Sequence, residues 1–184
     1  MVKKIGIIVG SLRKDSFNRK TANTFVELLP EGYQADFLEI GDLPLYNEDL
    51  DVEGEIPESW TRFRTELKQV EGVFFFTPEY NRSMPASIKN ALDVGSRPYG
   101  DSAWDGKPAL VVSVSPGAVS GFGANHHLRQ SLVFLNVPTL QQPEAYIGNV
   151  TNLLDDEGAF VEDTVGFFQL ITDKYIDFFE KLTK

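Results

Sequence analysis

Apolar and polar positions alternate in two patterns along the chain. Short apolar or alternating runs predict buried strands at "KKIGIIVG", "YQADFLEI", "GVFFFT" and "PALVVSV". Between and after these runs, apolar residues recur every three or four positions, which is the spacing of one helix face. Five such helical stripes begin near Ser16, Ile56, Pro85, Ala124 and Val161. A short fifth strand is predicted over 138–140.

This β-α alternation is typical of a parallel sheet that is covered by helices on both faces. Because crossovers are right-handed, the expected fold class is a doubly wound α/β sandwich. No repeat, linker or low-complexity segment interrupts the pattern, so we expect a single domain over residues 1–184. Loops 10–18, 77–83 and 115–123 all follow strand ends, and they should converge on one ligand-binding crevice.

Composition excludes several classes of function. The 184 residues contain no Cys, which rules out thiol catalysis and thiolate metal ligands. No apolar stretch approaches the roughly 18 residues of a membrane helix, and the first apolar run is too brief for a signal peptide. The net charge of −10 argues against nucleic-acid binding. We therefore expect a cytoplasmic protein with no nucleic-acid or membrane partner.

The first loop, "GSLRKDSFN", carries groups that suit a single phosphate. It has neither the Gly-Lys-Ser/Thr of a Walker A motif nor the spacing of G-x-G-x-x-G. What remains is a helix start with the hydrogen-bonding side chains of Ser11, Ser16 and Asn18. Arg13 adds a forked, charge-assisted donor. The alternative is that Ser16 only caps the helix.

The second and third loops offer backbone groups rather than charges. "TPEYNRSMP" presents fixed backbone donors and acceptors and the aromatic face of Tyr80, which would suit a planar ring, but an ordinary turn explains it equally well. In "SPGAVSGFGA", Gly117, Gly121 and Gly123 allow close approach to a ligand or another chain. A flexible loop ahead of a helix is the commoner use of such glycines.

Taken together and in this order, "GSLRKDSFNRK", "TPEYNRSMPASIKNALD" and "SPGAVSGFGANHHLRQSL" resemble the NADPH-dependent FMN reductase family. These are flavodoxin-like quinone, azo-dye and chromate reductases, and the resemblance covers residues 3–140. It implies a flavodoxin-like three-layer sandwich with a five-stranded parallel sheet in the order 2-1-3-4-5. It also implies FMN as cofactor, with NADPH or NADH as co-substrate.

The resemblance also implies roles for individual residues, by position. The phosphate of FMN would be held by Ser11, Arg13, Ser16, Asn18 and the backbone of Phe17. The isoalloxazine would be lined by Pro78, Glu79, Tyr80 and Asn81, and closed on its other side by Ser115 and Gly117. Similar enzymes are homodimers or homotetramers. In such an assembly the acceptor pocket would be completed from a neighbouring subunit by Tyr46, Asn47 and Asp49.

The implied activity is that of an FMN-dependent NAD(P)H oxidoreductase. Hydride would pass through FMN, by a ping-pong mechanism, to a small-molecule acceptor: a quinone, azo compound, nitroaromatic, metal oxyanion or flavin. Because flavin performs this chemistry itself, no catalytic side chain and no metal are predicted. The alternative is a flavodoxin-type electron carrier without an NAD(P)H substrate, although Arg13 and the "PEYN" loop favour the reductase. A protein that has kept the fold and lost flavin is a third hypothesis.

The sequence leaves open the roles of Trp104 and of the adjacent His126 and His127. Trp104 could cover the flavin, pack at a subunit contact or anchor a surface stretch. His126 and His127 are adjacent on a helix and therefore face different ways, which favours a helix-start or interface role over a metal site.

Overall fold

Five strands form one sheet in the computed structural model, which describes residues 2–183. The order is β2-β1-β3-β4-β5, and every neighbouring pair is parallel. The flavodoxin-like order that the family resemblance implied is therefore confirmed. The strands are β1 (Lys3–Val9), β2 (Tyr33–Phe37), β3 (Gly72–Thr77), β4 (Ala109–Val114) and β5 (Ala145–Ile147).

Helices cover both faces of the sheet. They are α1 (Phe17–Glu27), α2 (Glu58–Gln69), α3 (Ala86–Gly95), α4 (Phe122–Phe134) and α5 (Glu162–Leu182), with short 3₁₀ turns at Glu48–Leu50 and Val150–Leu153. α1 and α5 pack on one face, and α2, α3 and α4 pack on the other. Within residues 2–183, no helix combines the length and the apolar character needed to cross a membrane.

Successive side chains of a strand pack into two different hydrophobic cores, one on each face of the sheet. In β3, Phe74 and Phe76 point toward α1 and α5, whereas Phe75 points toward α2 and α3. This follows from the two-residue period of a strand, and it explains why the run "VFFF" is wholly apolar. All three rings are fully buried.

The predicted fifth strand at 138–140 is wrong in position. Thr139 forms only an isolated parallel bridge with Ala109, whose N–H donates to the Pro138 carbonyl at 2.8 Å. The chain then leaves the sheet, and it returns opposite Val112, which pairs with Ala145 in β5. A three-residue strand is too short to show a period, so the sequence pattern could not locate it.

Trp104 has none of the three roles that the sequence left open. It is fully buried between α2 and the sheet, 5.7 Å from the ring of Phe75 and 6.0 Å from that of Phe63. Its indole N–H donates to the Leu92 carbonyl at 3.1 Å. Burial of the polar N–H is possible because the last turns of α3 offer that acceptor. Trp104 is a core residue.

Candidate functional site

Three loops at the carboxyl edge of the sheet enclose a cavity of about 140 Å³. The convergence that the sequence predicted is confirmed in this geometry. The predicted cofactor residues that line the cavity are Ser11, Arg13, Ser16, Phe17, Asn18, Pro78, Glu79, Tyr80 and Ser115. Asn81 and Gly117 lie in the same loops but outside its wall. Val114 and Pro116 also line it, and their only sequence signal is their position next to Ser115.

The first loop is held close to α3 by a glycine. A Cβ on Gly10 would lie 2.6 Å from the Ile88 side chain, so only glycine fits without a shift. Ser87 donates a hydrogen bond to the Gly10 carbonyl at 2.9 Å. The sequence motif contains Gly10, but the partner residues could not be inferred, because they belong to a helix some 75 residues further along.

Ser16 caps α1, as the alternative interpretation proposed. Its hydroxyl accepts a hydrogen bond from the Arg19 N–H at 3.2 Å, and its own backbone is extended. The first N–H groups of a helix have no partner within the helix, and they carry partial positive charge. At the start of α1 these groups border the cavity, since Phe17 and Asn18 both line it. The capping role thus leaves the site suitable for an anion.

Asn18 leaves a polar atom unsatisfied. The side chain is buried, and its Oδ1 has no hydrogen-bond partner among residues 2–183. A buried polar atom without a partner is unfavourable, and such groups are rare away from binding sites. This oxygen is an acceptor and does not bind a phosphate oxygen. The fit to the phosphate end of FMN rests instead on the donors at this end of the cavity, which are the first N–H groups of α1 and the amide N–H₂ of Asn18.

A tight turn shapes the second loop. Tyr80 and Ser83 exchange two backbone hydrogen bonds, of 2.9 and 3.0 Å. The two residues between them, Asn81 and Arg82, both have positive φ, at 51° and 65°. This is the pattern of a type I′ turn, in which Asn is one of the few favoured side chains. The turn leaves the ring of Tyr80 about half exposed at the rim of the cavity.

Glu79 connects the second loop to the third. Its carboxylate accepts hydrogen bonds from the Ala124 N–H at 3.2 Å and from Arg82 at 2.7 Å. Burial alone would raise the pKa of this carboxyl. The hydrogen bonds from Ala124, Arg82 and Gly123 reverse that effect, so the pKa of Glu79 lies below its usual value. A fixed negative charge therefore forms part of the cavity wall at neutral pH.

The third loop is fixed by its own hydrogen bonds. The Ser115 hydroxyl accepts from the Gly117 N–H at 3.0 Å. The Gly117 carbonyl accepts from the N–H groups of Ser120 at 3.2 Å and Asn149 at 3.3 Å. These contacts join the loop to the segment after β5. The loop is therefore attached at specific points, in contrast to the unattached connector that its glycines suggested.

The predicted acceptor residues lie apart from this cavity. Tyr46 stacks on Trp60 with ring centroids 5.2 Å apart, and its hydroxyl donates to Asp51 at 3.2 Å. Asn47 caps a 3₁₀ turn by accepting from the Asp49 N–H at 3.1 Å, and both side chains are exposed. Within one chain, these three residues do not line the cavity of the three loops.

The two histidines have protein partners. His126 Nε2 lies 3.0 Å from the Tyr146 hydroxyl, and His127 Nδ1 lies 3.0 Å from the Ser83 hydroxyl. Throughout residues 2–183, no three His, Cys, Asp or Glu side chains cluster so that they could hold a metal ion.

Known proteins resemble this chain over most of its length. Residues 3–152 match the family described as NADPH-dependent FMN reductase. A quinone reductase of Pseudomonas putida is 56% identical over 174 residues, which are 95% of this chain and 93% of that protein. A 2-hydroxy-1,4-benzoquinone reductase of a Burkholderia species is 43% identical over 176 residues, 95% of each chain.

A solved structure agrees with both sequence matches. FerB, a flavoenzyme NAD(P)H:(acceptor) oxidoreductase from Paracoccus denitrificans, superposes with a TM-score of 0.90 at 39% identity over 98% of each chain. The protein is therefore an oxidoreductase of the NADPH-dependent FMN reductase family, with FMN as its cofactor, as the three loop motifs predicted.

Proposed function

We propose that this enzyme takes hydride from NAD(P)H and delivers it, by a ping-pong mechanism, to a quinone. The observation that supports this most is the convergence of three sequence-distant loops on one cavity with a phosphate-compatible end. The names of the relatives from Pseudomonas and Burkholderia favour quinones over the azo, nitroaromatic, metal-oxyanion and free flavin acceptors that the family motifs also allow. The whole chain would act as one FMN-binding domain.

At the phosphate end, the proposed ligands are the first-loop residues and the start of α1. Ser11 and Ser16 present buried hydroxyls that can donate, and the amide N–H₂ of Asn18 can donate as well. Arg13 is exposed and forms no ion pair within residues 2–183, so its guanidinium is free to bind two phosphate oxygens. Together these groups would neutralise and orient the phosphate.

At the ring end, the proposed contacts come from Pro78, Glu79, Tyr80 and Asn81 on one side and from Ser115 and Gly117 on the other. When bound, FMN accepts a hydride from NAD(P)H and passes it on to the acceptor. The role of the protein is to present rigid backbone donors to the ring, and both loops are held by their own hydrogen bonds. Donors that are fixed in advance stabilise developing negative charge without reorganisation.

The protein would also self-associate. Val133 and Phe134, at the end of α4, are 76% and 86% exposed. Exposed apolar side chains of this size are typical of an interaction surface when they adjoin a groove. Here, a cavity of about 340 Å³ between α3 and α4 reaches Phe134 and Leu135. In a homodimer or homotetramer, Tyr46, Asn47 and Asp49 of a neighbouring subunit would complete the acceptor pocket.

A visible spectrum tests the proposal directly. The visible spectrum of the purified protein with added FMN should show bound flavin. Anaerobic addition of NADPH should then promptly remove the absorbance of the oxidised flavin. With a quinone as acceptor, double-reciprocal plots at several quinone concentrations should be parallel, as ping-pong turnover requires. Bound flavin that neither NADPH nor NADH reduces would instead identify an electron carrier. A protein that does not bind FMN would refute the proposed site.

Variants of the first loop test whether its side chains bind FMN. Asn18→Ala and Arg13→Gln should weaken FMN binding by about tenfold each, since a hydrogen bond to a charged group contributes roughly 1.5–3 kcal/mol. Lys174→Gln, on the exposed side of α5, serves as the control. Equal FMN affinity in all three variants would exclude the first loop as the phosphate site.

A further inference from the structure

A chain of buried polar side chains lies beneath the third loop of the cavity. Ser113, near the end of β4, and Asn125, in α4, are fully buried. The Ser113 hydroxyl donates a hydrogen bond of 2.7 Å to the Ser120 carbonyl. The Asn125 amide nitrogen lies 3.3 Å from the Val111 carbonyl oxygen and 3.5 Å from the Ser113 oxygen. Arg129 Nε donates to Asn125 Oδ1 at 2.8 Å. The chain therefore joins α4 to the backbone of the third loop.

Each hydrogen bond in this chain has only one possible direction. A guanidinium has donors and no acceptor, so the atom of Asn125 that faces Arg129 is the amide oxygen. The amide N–H₂ then faces the oxygen of Ser113, which is the longest contact of the chain. A hydroxyl has a single proton, and Ser113 donates that proton to the Ser120 carbonyl. The orientation of the Asn125 amide, and through it that of the Ser113 hydroxyl, is thus set by Arg129.

Arg129 is itself fixed at its outer end. Its Nη1 donates to the Thr139 hydroxyl at 3.2 Å and to the Leu140 carbonyl at 3.0 Å, both in the segment between α4 and β5. Together with the bond to Asn125, three N–H groups of the guanidinium have acceptors. The guanidinium has little freedom to turn, and the Asn125 amide is held with it.

The chain stabilises a backbone conformation that is uncommon for its sequence. Ser120 has a φ of 62°, in the left-handed region that side chains rarely adopt. Its N–H donates to the Gly117 carbonyl at 3.2 Å, and its carbonyl accepts from Ser113, so both peptide groups of the residue are fixed. Gly148 leaves the necessary space, since a Cβ there would overlap the Ser120 hydroxyl. The turn that follows the cavity-lining part of the third loop is therefore held from below.

We propose that Arg129, Asn125 and Ser113 are positioning residues for the isoalloxazine ring of FMN. They do not line the cavity; they act through the Ser120 carbonyl, by holding the third loop in the conformation that closes the ring site. This inference rests on the proposed function, which places the third loop against the ring. A polar network whose members are all satisfied specifies a single arrangement. Loss of a member should therefore weaken binding of the ring and leave binding of the phosphate unchanged.

Riboflavin separates the two ends of the cofactor, because it carries the ring of FMN without the phosphate. In Ser113→Ala, fluorescence titration should give dissociation constants for FMN and riboflavin that both rise by about fivefold, which corresponds to about 1 kcal/mol for one neutral hydrogen bond. Arg13→Gln should weaken binding of FMN alone. Thr172→Val is the matched control, because it removes an equally buried hydroxyl whose acceptor, the Phe168 carbonyl, lies within α5. It should change neither dissociation constant.

A double variant tests whether the chain acts as one unit. Arg129→Met releases the Asn125 amide but leaves the Ser113 hydroxyl in place, so it should raise both dissociation constants by about twofold to threefold. If Arg129 acts through Ser113, the double variant Ser113→Ala/Arg129→Met should bind both flavins no more weakly than Ser113→Ala alone. Factors that multiply in the double variant would show that Arg129 acts by another route, and they would overturn the chain.

Two further results would overturn the inference. A lowered melting temperature with unchanged dissociation constants would limit Ser113 to a structural role, and a loss in Ser113→Ala that is confined to FMN would place its effect at the phosphate. If Ser113→Ala does not fold, Arg129→Met, at the outer end of the chain, provides the same comparison of FMN with riboflavin. Wild-type protein that binds neither flavin would refute the proposed function and this inference with it, whereas the variant results refute this inference alone.

Discussion

Glu79 and Ala124 connect two loops of the site, because the Glu79 carboxylate accepts the first-turn N–H of α4 at 3.2 Å. Removing the carboxylate in Glu79→Ala leaves that helix start without its acceptor, and loss of such a cap destabilises a protein by about 1 kcal/mol. The second loop is also released from the third. We expect a lower melting temperature and an FMN dissociation constant that rises by about tenfold, measured by flavin titration.

Glu157→Ala is the control, since Glu157 is an exposed carboxylate in the turn that follows Asp155. Glu157→Ala should change neither the melting temperature nor the FMN dissociation constant. An unchanged FMN affinity in Glu79→Ala, together with a lowered melting temperature, would limit Glu79 to a role in stability.

Gly123 marks the closest approach between the same two loops. A Cβ at this position would lie 2.7 Å from the Arg82 carbonyl oxygen and 3.0 Å from the Glu79 carboxylate. Gly123→Ala should therefore shift the turn at Asn81 and Arg82, destabilise the protein by about 1–3 kcal/mol and weaken FMN binding.

Gly166→Ala provides the contrast. Its Cβ would meet nothing within 4 Å, on an exposed face of α5. Replacing a helical glycine by alanine stabilises by about 1 kcal/mol. Urea denaturation of both variants should give free energies of unfolding that change in opposite directions. If Gly123→Ala left the free energy of unfolding unchanged, the two loops would be less tightly packed than the structure indicates.

The sequence pattern was sufficient for β1 to β4 and for most of the residues that line the cavity. A continuous apolar run such as β3 is long enough to be recognised as a buried strand, and parallel topology then brings strand ends to one edge. Ser11, Arg13 and Asn18 were identifiable because hydroxyl, amide and guanidinium groups follow directly after a buried strand. These inferences used only local pattern and one general rule of topology.

Contacts between distant segments could not be predicted. The position of β5 depends on hydrogen bonds to β4, and its three residues show no period of their own. Trp104 lies in a polar stretch, so its burial depends on space that α2 and α3 leave beside the sheet. The cavity bordered by Arg13, Lys14 and Arg19 likewise depends on Glu39 and Gly41 after β2 lying beside the first loop. Such pairings are properties of tertiary structure.

A buried ion pair anchors the loop that carries Tyr46. Arg64 donates two hydrogen bonds of 2.8 Å to Asp51 and one of 2.9 Å to the Val94 carbonyl, and both charged side chains are at most 10% exposed. Arg64→Met leaves the buried Asp51 carboxylate with only the Tyr46 hydroxyl as donor, and breaking a buried ion pair in this way destabilises by about 3–5 kcal/mol. Chemical denaturation measures this loss.

The exposed pair of Lys68 and Asp101 is the control for that measurement. Their side chains are 47% and 61% exposed, so solvent screens the interaction. Lys68→Met should change the free energy of unfolding by less than about 1 kcal/mol. Losses of similar size in Lys68→Met and Arg64→Met would mean that the Arg64 pair is solvated in solution.

The same ion pair predicts how stability depends on pH. Hydrogen bonds from Arg64 hold the pKa of Asp51 below its ordinary value of 3.8. A carboxyl whose pKa is lower in the folded state stabilises fully above its unfolded pKa, and this contribution is lost as pH falls through the folded value. Between pH 5 and pH 3, wild type should therefore lose stability faster than Asp51→Asn. If the melting temperatures of the two proteins fell equally with pH across this range, Asp51 would not be the group responsible.

Phe134 tests whether the apolar end of α4 is a subunit interface. It is 86% exposed beside Val133, and it borders the cavity between α3 and α4. A charged side chain in the centre of an apolar interface must be desolvated, so Phe134→Lys should shift the assembly toward the monomer. Analytical ultracentrifugation measures the mass directly. Leu182→Lys changes an exposed apolar residue at the end of α5, away from this surface, and should leave the mass unchanged. If Tyr46, Asn47 and Asp49 act across the interface, quinone turnover should fall in Phe134→Lys while FMN stays bound. A monomeric wild-type enzyme with full quinone activity would exclude any contribution from a neighbouring subunit.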